Sequence, residues 1–180
     1  KLLDICKSLP AEAMITFSVN DQKVLVQSGR SRFTLASLPA SDFPALDEIS
    51  SVFEFEISQQ TLHELIDKTS FAMAQQDVRY YLNGLLLEIR PGRVRAVATD
   101  GHRLALCDAP FTEAIGMDLQ VILPRKAVIE LGRLLDDPDA EAQLEISGSH
   151  LRLHQGSISF TTKLIDGRFP DYERVMPSGD

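Results

Sequence analysis

The 180-residue chain is 44% hydrophobic and 24% charged, which excludes wholesale disorder, and no run approaches the ~18 uncharged apolar residues of a membrane span. A net charge of −8 argues against tight nucleic-acid binding by bulk charge, since phosphate contacts need positive potential where they form. The opening KLLDICKSLP has no secretory pattern, and Cys6 and Cys107 are isolated in apolar surroundings with no disulfide or C-x-x-C metal spacing, so a reducing cytoplasm is expected.

The first predicted element is a helix over 1–9, with Leu2, Ile5, Cys6 and Leu9 on one stripe and Pro10 as its stop. Period-two strands follow at 14–19, 23–27 and 32–38, punctuated by Asn20-Asp21 and Ser28-Gly29. A strand at 52–57 (VFEFEI) leads into a helix over 59–69, with Ser58 as N-cap and Leu62, Leu65, Ile66 and Thr69 as its stripe. Strands are predicted at 80–89, 94–99 and 103–107. Asp100-Gly101 is read as a type I′ hairpin turn, which needs positive φ at both central positions. A strand at 118–123 precedes a helix over 124–135, opened by Pro124 and striped by Val128, Leu131 and Leu135. Strands at 143–146, 151–154 and 158–164 complete the chain.

The order repeats. At an offset of 126, residues 2–9 lie over 128–135 with apolar on apolar, acid on acid and base on base, and Ser31, Leu38, Phe43 and Pro44 lie over Ser157, Leu164, Phe169 and Pro170. The fold class is therefore α+β, a module of two βαβββ units with helices on one face and antiparallel sheets on the other. Residues 1–46 are the second half of one module, 47–51 a linker, 52–177 a whole module, and 178–180 the start of another linker. The half-module leaves sheet edges to be covered. With no initiator Met, the expectation is a natural chain that extends beyond Lys1.

Catalytic constellations are thin. Asp100 and His102 around a tight turn are an acid/base pair or metal half-site on one reading, and a hairpin with an incidental His on the other. His150 and His154 share a strand face without a carboxylate or Cys at ligand spacing. There is no G-x-S-x-G, P-loop, G-x-G-x-x-G or H-E-x-x-H. The charge distribution says more. The three helices carry Lys1, Lys7, Lys68, Arg125, Lys126 and Arg133 against Asp4, Glu64, Asp67 and Glu130, so they are net positive on an acidic chain. That is either an ordinary solvated face or a surface that tolerates a polyanion without gripping it. Arg79-Tyr80-Tyr81 is either a strand start with one Tyr in the core or a wall for phosphate or unstacked bases. Residues 99–104 and 168–175 combine apolar, Gly or Pro and Arg residues at strand ends. Brought together, they would make an apolar groove with polar rims suited to a peptide.

Five stretches carry a resemblance: LPASDFPAL (38–46), SGRSRF (28–33), QQDVRYYLNG (75–84), ATDGHRLA (98–105) and LIDGRFPDYERVMP (164–177). Together they closely resemble the bacterial sliding clamps, the β subunits of DNA polymerase III. The resemblance implies a DNA-clamp fold, a ring homodimer of three-domain subunits around duplex DNA, no catalysis, no cofactor and no metal. This chain then matches the second half of domain one and all of domain two. Implied partners are duplex DNA held without sequence preference, the polymerase III alpha subunit, the clamp loader and other proteins with clamp-binding motifs, with no membrane. The implied partner-peptide site draws on Leu82, Thr99, Gly101, His102, Arg103, Leu104, Pro170, Arg174 and Val175. The implied DNA-facing residues are Gln76, Arg79, Tyr80 and Tyr81, with Arg125 and Lys126. The implied subunit interface draws on Lys1, Ile5, Arg30, Arg32, Phe33 and Leu35. Glu173 departs from the family pattern, in which a basic residue can stand on that rim. The competing readings are a peptide-binding α+β adaptor unrelated to DNA and a metal-dependent hydrolase built on Asp100 and His102.

Overall fold

Alternating apolar residues and well-placed turn residues set the elements of the computed structural model, which describes residues 1–43, 53–113, 116 and 118–176. The expected linker at 47–51 and the tail at 178–180 lie outside the described residues. The chain divides into two compact units, Lys1–Glu48 and Ile49–Asp180.

The first unit is a helix α1 (Leu2–Ser8) and an antiparallel sheet of β1 (Thr16–Asn20), β2 (Lys23–Ser28) and β3 (Ser31–Ala36) in that order. No residue of α1 is buried, and in the sheet Val26 alone is fully buried. Phe17 stays 51% exposed although it is apolar and faces the same side as Val26 and Phe33, its neighbours across the sheet.

The second unit has two sheets and a core of its own. It runs β4 (Phe53–Ser58), α2 (Gln59–Asp67), β5 (Gly84–Arg90), β6 (Gly92–Thr99), β7 (Leu104–Phe111), β8 (Leu119–Pro124), α3 (Arg125–Leu134), β9 (Glu141–Ile146), β10 (His150–Gln155) and β11 (Ile158–Lys163). The two antiparallel sheets have the orders β11-β10-β9-β4 and β7-β6-β5-β8. Each βαβββ unit has therefore lent its first strand to the other. β4 pairs with β9 and β8 with β5. One core joins the halves: Leu62, Leu65 and Ile66 of α2 and Val128, Leu131 and Leu135 beside α3 meet the inner faces of both sheets. Phe55 and Phe111 touch edge to face at 5.4 Å between ring centres, which ties β4 to β7. Ser58 caps α2 as expected, accepting from the Thr61 N–H at 3.1 Å.

The repeat survives with a correction. An offset of 126 holds in the helices, but the strands are displaced by one further residue. Phe17, Val26 and Phe33 are cross-strand neighbours, as are Leu144, Leu153 and Phe160, and this correspondence needs an offset of 127. The physical reason is period two: a slip of one residue would set Phe17 over the outward Gln143. The extra residue sits in the loop between helix and first strand, and the offset of 127 still holds just past the third strand, where Ser37 N–H to Gln22 O corresponds to Leu164 N–H to Ser149 O.

Two further expectations are corrected. Residues 80–82 do not begin a strand. Tyr80–Leu82 is a 3-10 turn, and β5 starts at Gly84, where an added Cβ would meet Leu123 O at 2.5 Å. The Asp100-Gly101 hairpin is not type I′. β6 and β7 pair out to Thr99 and Leu104, which leaves a four-residue loop in which only Gly101, at φ +88°, is left-handed.

Candidate functional site

Every residue of β5 from Gly84 to Ile89 is buried, so this strand is covered on both faces. Leu85, Leu87 and Ile89 point to the helices. Leu86 points outward, where Val97, Ile122, Phe169 and Tyr172 close a second apolar cluster, with Tyr81, Leu104, Leu106 and Ile165 packed against it. The outer cover is the segment 164–176, which ends in a 3-10 turn, Tyr172–Val175. The two stretches that sequence could not join, 99–104 and 168–175, both reach this cluster, Phe169 and Tyr172 within it and Leu104 packed against it.

The loop between β6 and β7 is built by Asp100. Its Oδ1 accepts from the His102 and Arg103 amides at 2.9 and 3.0 Å, and its Oδ2 from Arg103 Nε at 3.1 Å. These donors hold the carboxyl below its ordinary range, with the two backbone bonds contributing most. Thr99 Oγ1 accepts from the Gly101 amide and donates to Arg103 O. Arg103 also donates to Phe71 O at 2.8 Å and lies over the exposed Phe71 ring. Asp100 thus meets His102 through the backbone N–H, and its carboxylate is spent on shaping the turn. Among the described residues no group of three or more His, Cys, Asp or Glu could hold a metal ion.

The loop 75–83 rests on this turn. Asn83 closes it, accepting from the Asp77 amide and donating to Asp77 O, each at 2.9 Å. Asp77 grips Arg79 through Oδ1 to Nε at 3.0 Å and Oδ2 to Nη2 at 2.8 Å, and accepts from the Arg79 amide. The Arg79 contacts lower Asp77 to about 2. The guanidinium then lies over Gly101, where an added Cβ would stand 3.1 Å from Nη2, and Nη2 reaches Asp100 O at 3.4 Å. Tyr80 and Tyr81 stack edge to face, and both border Gly167.

The candidate residues fall into distinct environments. Gly101, His102, Arg103, Pro170, Arg174 and Val175 are exposed, and Leu104 is half-buried. Leu82 and Thr99 are buried, so they form the floor beneath the surface instead of an open wall. Gln76, Arg79 and Tyr80 are exposed on the loop, while Tyr81 is half-buried in the outer cluster. On α3, Lys126 is exposed, but Arg125 turns its guanidinium toward Met73 O. Two helix cations are already paired, Lys68 with Glu64 and Arg133 with Glu130, which reduces the positive bias of α2 and α3. In the first unit, Phe33 and Leu35 share one face of the edge strand β3, Lys1, Arg30 and Arg32 are exposed, and Ile5 is half-buried. His150 meets Ser149, and His154 meets Glu145 at 2.9 Å.

Sequence reasoning missed Glu88, Arg95, Asp108, Tyr172 and Asp77. A lone acid inside the apolar run LLLEIR and the alternating Arg93 and Arg95 were the available signals.

Two family models match the chain: the central domain of the DNA polymerase III beta subunit over residues 56–171 and its N-terminal domain over residues 1–47. The beta sliding clamp of Pseudomonas aeruginosa is 55% identical over 179 residues, covering 99% of this chain and 49% of the relative. That of Escherichia coli K12 is 51% identical over 177 residues, covering 98% and 48%. A crystal structure of the Pseudomonas aeruginosa beta subunit superposes with a TM-score of 0.92 at 54% identity, over 99% of this chain and 49% of that one. The Bartonella birtlesii sliding clamp bound to griselimycin gives 0.90 at 41% identity, over 99% and 49%. The chain spans about half the length of the curated relatives it matches.

Proposed function

The chain belongs to the DNA polymerase III beta subunit family, and from that membership we propose that it is part of a DNA sliding clamp. Residues 1–46 are the second half of its first domain and 52–177 its whole second domain. The full-length protein closes as a ring homodimer around duplex DNA in the cytoplasm. It holds the polymerase III alpha subunit, the clamp loader and other clamp-binding proteins on DNA by topology, with no catalysis of its own. Gln76, Arg79, Tyr80, Tyr81 and Lys126 approach the DNA, with Arg125 behind them. Lys1, Ile5, Arg30, Arg32, Phe33 and Leu35 serve the subunit contact. The segments 99–104 and 168–175 form part of a partner-peptide site.

The observation that carries this reading is that Leu104 packs against the apolar cluster to which Phe169 and Tyr172 belong, on the outer face of the β7-β6-β5-β8 sheet. The exposed Gly101 and His102 precede Leu104 in the chain, and the exposed Arg174 and Val175 follow Tyr172. A short peptide that buries about 300 Å² of apolar area there gains roughly 7 kcal/mol gross at about 25 cal/mol per Å². Ordering the peptide offsets several kcal/mol of that, so the expected affinity is on the order of micromolar, suited to clients that exchange. The test is calorimetric titration of the full-length protein with a synthetic peptide bearing the clamp-binding motif of the polymerase alpha subunit. Leu104→Ala should weaken binding by about tenfold, the equivalent of ~1.4 kcal/mol. Unchanged affinity removes Leu104 from the site and the reading with it.

A further inference from the structure

The 3-10 turn Tyr172–Val175 carries the exposed Arg174 and Val175 but sends only one side chain, Tyr172, into the body of the protein. That phenol is 6% exposed and is held from two sides. Its O–H donates to Glu88 Oε1 at 3.0 Å, and its oxygen accepts from Arg95 Nη1 at 3.2 Å. The Arg95 guanidinium also lies 5.9 Å from the Tyr172 ring centre, within cation–π range. Arg95 is itself fixed by two bonds to Asp108 on the neighbouring strand β7.

Glu88 is 1% exposed, an unusual place for a carboxylate. Its oxygens also accept from Arg90 Nη2 at 2.7 Å, Gln120 Nε2 at 2.6 Å and Arg93 Nη2 at 3.4 Å. Four strands, β5 to β8, thus converge on one buried acid and one buried phenol. An apolar residue at 88 would fill the space without the desolvation cost of a charge, so the network is poorly explained by stability alone. What it supplies is direction, because a phenol hydrogen-bonded on both sides has one orientation.

We propose that Glu88 and Arg95 are positioning residues that lock Tyr172 and thereby set where Arg174 and Val175 stand at the rim of the partner-peptide site. The inference rests on the peptide-site reading above. Tyr172→Phe keeps the ring and removes both hydrogen bonds. Arg95→Lys keeps a cation beside Asp108 and loses the second reach to the phenol.

Both variants are made in the full-length protein, checked by thermal melting, and titrated with the same alpha-subunit peptide beside Leu104→Ala. Amide exchange is followed at Arg174, Val175 and Met176, with Leu87 and Val97 as core references. The lock predicts about three- to tenfold weaker peptide binding in both variants, the effect of losing one or two hydrogen bonds. It also predicts faster exchange at 174–176 with the references unmoved, a combination that general destabilisation would not give. If Leu104→Ala weakens binding while both lock variants bind and exchange like the parent, the lock is wrong and the peptide site stands. If none of the three changes affinity, both fall.

Discussion

Gly101→Ala probes the join between the loop 75–83 and the β6–β7 turn. Gly101 sits at φ +88°, where an L side chain is strained by roughly 1–2 kcal/mol. The new Cβ would also stand 3.1 Å from Arg79 Nη2 and 3.2 Å from Nη1. A flexible guanidinium can yield by a few tenths of an ångström, but Asp77 resists by holding both Nε and Nη2. The backbone term therefore sets the size of the effect and the Arg79 contact sets its context. The substitution should lower stability by about 1–2 kcal/mol, a fall of roughly 2–8 °C in melting temperature for a domain of this size. In an Arg79→Ala background the same change should cost less, because one of its two penalties is gone. Thermal melts of the four proteins form a double-mutant cycle. Full additivity would mean that Arg79 does not lie on the turn. No loss in either background would mean that Gly101 is not left-handed.

The core makes its own prediction: Leu131→Ala, which opens a cavity between α3 and both sheets, costs about 2–5 kcal/mol by urea titration. On the acid side, the carboxyls of Asp77 and Asp100 are both lowered in the fold, so their contribution is complete above the unfolded value of about 3.9 and is lost as pH falls through about 2 for Asp77. Amide exchange in 75–83 and 99–104 should accelerate in that window ahead of the core, and exchange that follows global unfolding alone would contradict it. For DNA, the ion pairs on α2 and α3 leave one or two cations to meet phosphate. Binding to linear duplex should then be weak and fall only about 3- to 12-fold between 50 and 200 mM salt, and a tight complex with a steep salt slope would refute containment by topology.

What the sequence disclosed, and what it withheld, follows from what each signal measures. Period two reports which face of a strand is buried, so VFEFEI over 52–57 read cleanly, yet it is silent on which neighbour the edge takes. The exchange of β4 and β8 between halves was therefore invisible. Apolar runs blur where an element starts, and the run that includes Tyr81 and Leu82 merged a 3-10 turn with β5. The turn at Asp100 misled because the same Asp-Gly pair serves a two-residue hairpin and a wider loop in which Asp caps two amides. The stretches that carry the family resemblance were legible, but the polar network beneath them was not. Glu88 and Tyr172 are distant in sequence, and only the covering of β5 brings them together.

That covering explains the sequence of β5. Antiparallel sheets with one wet face alternate polar and apolar residues, whereas GLLLEIR does not, because its outer face is dry as well. A strand dry on both sides needs a lid, and the lid here is chain that has already completed its last strand, 164–176. Leu104 packs at the border of the covered cluster, and Arg174 and Val175 of the lid stay exposed. The charged network under Tyr172 occupies the other half of the same outer face, where Glu88, Arg95 and Asp108 each stand two residues along their strand from Leu86, Val97 and Leu106, with Arg93 beyond them. The alternation that looked broken in sequence is thus complete once the lid is counted as a layer: one face feeds the helix core, and the other is divided between apolar packing under Phe169 and the polar network that holds Tyr172.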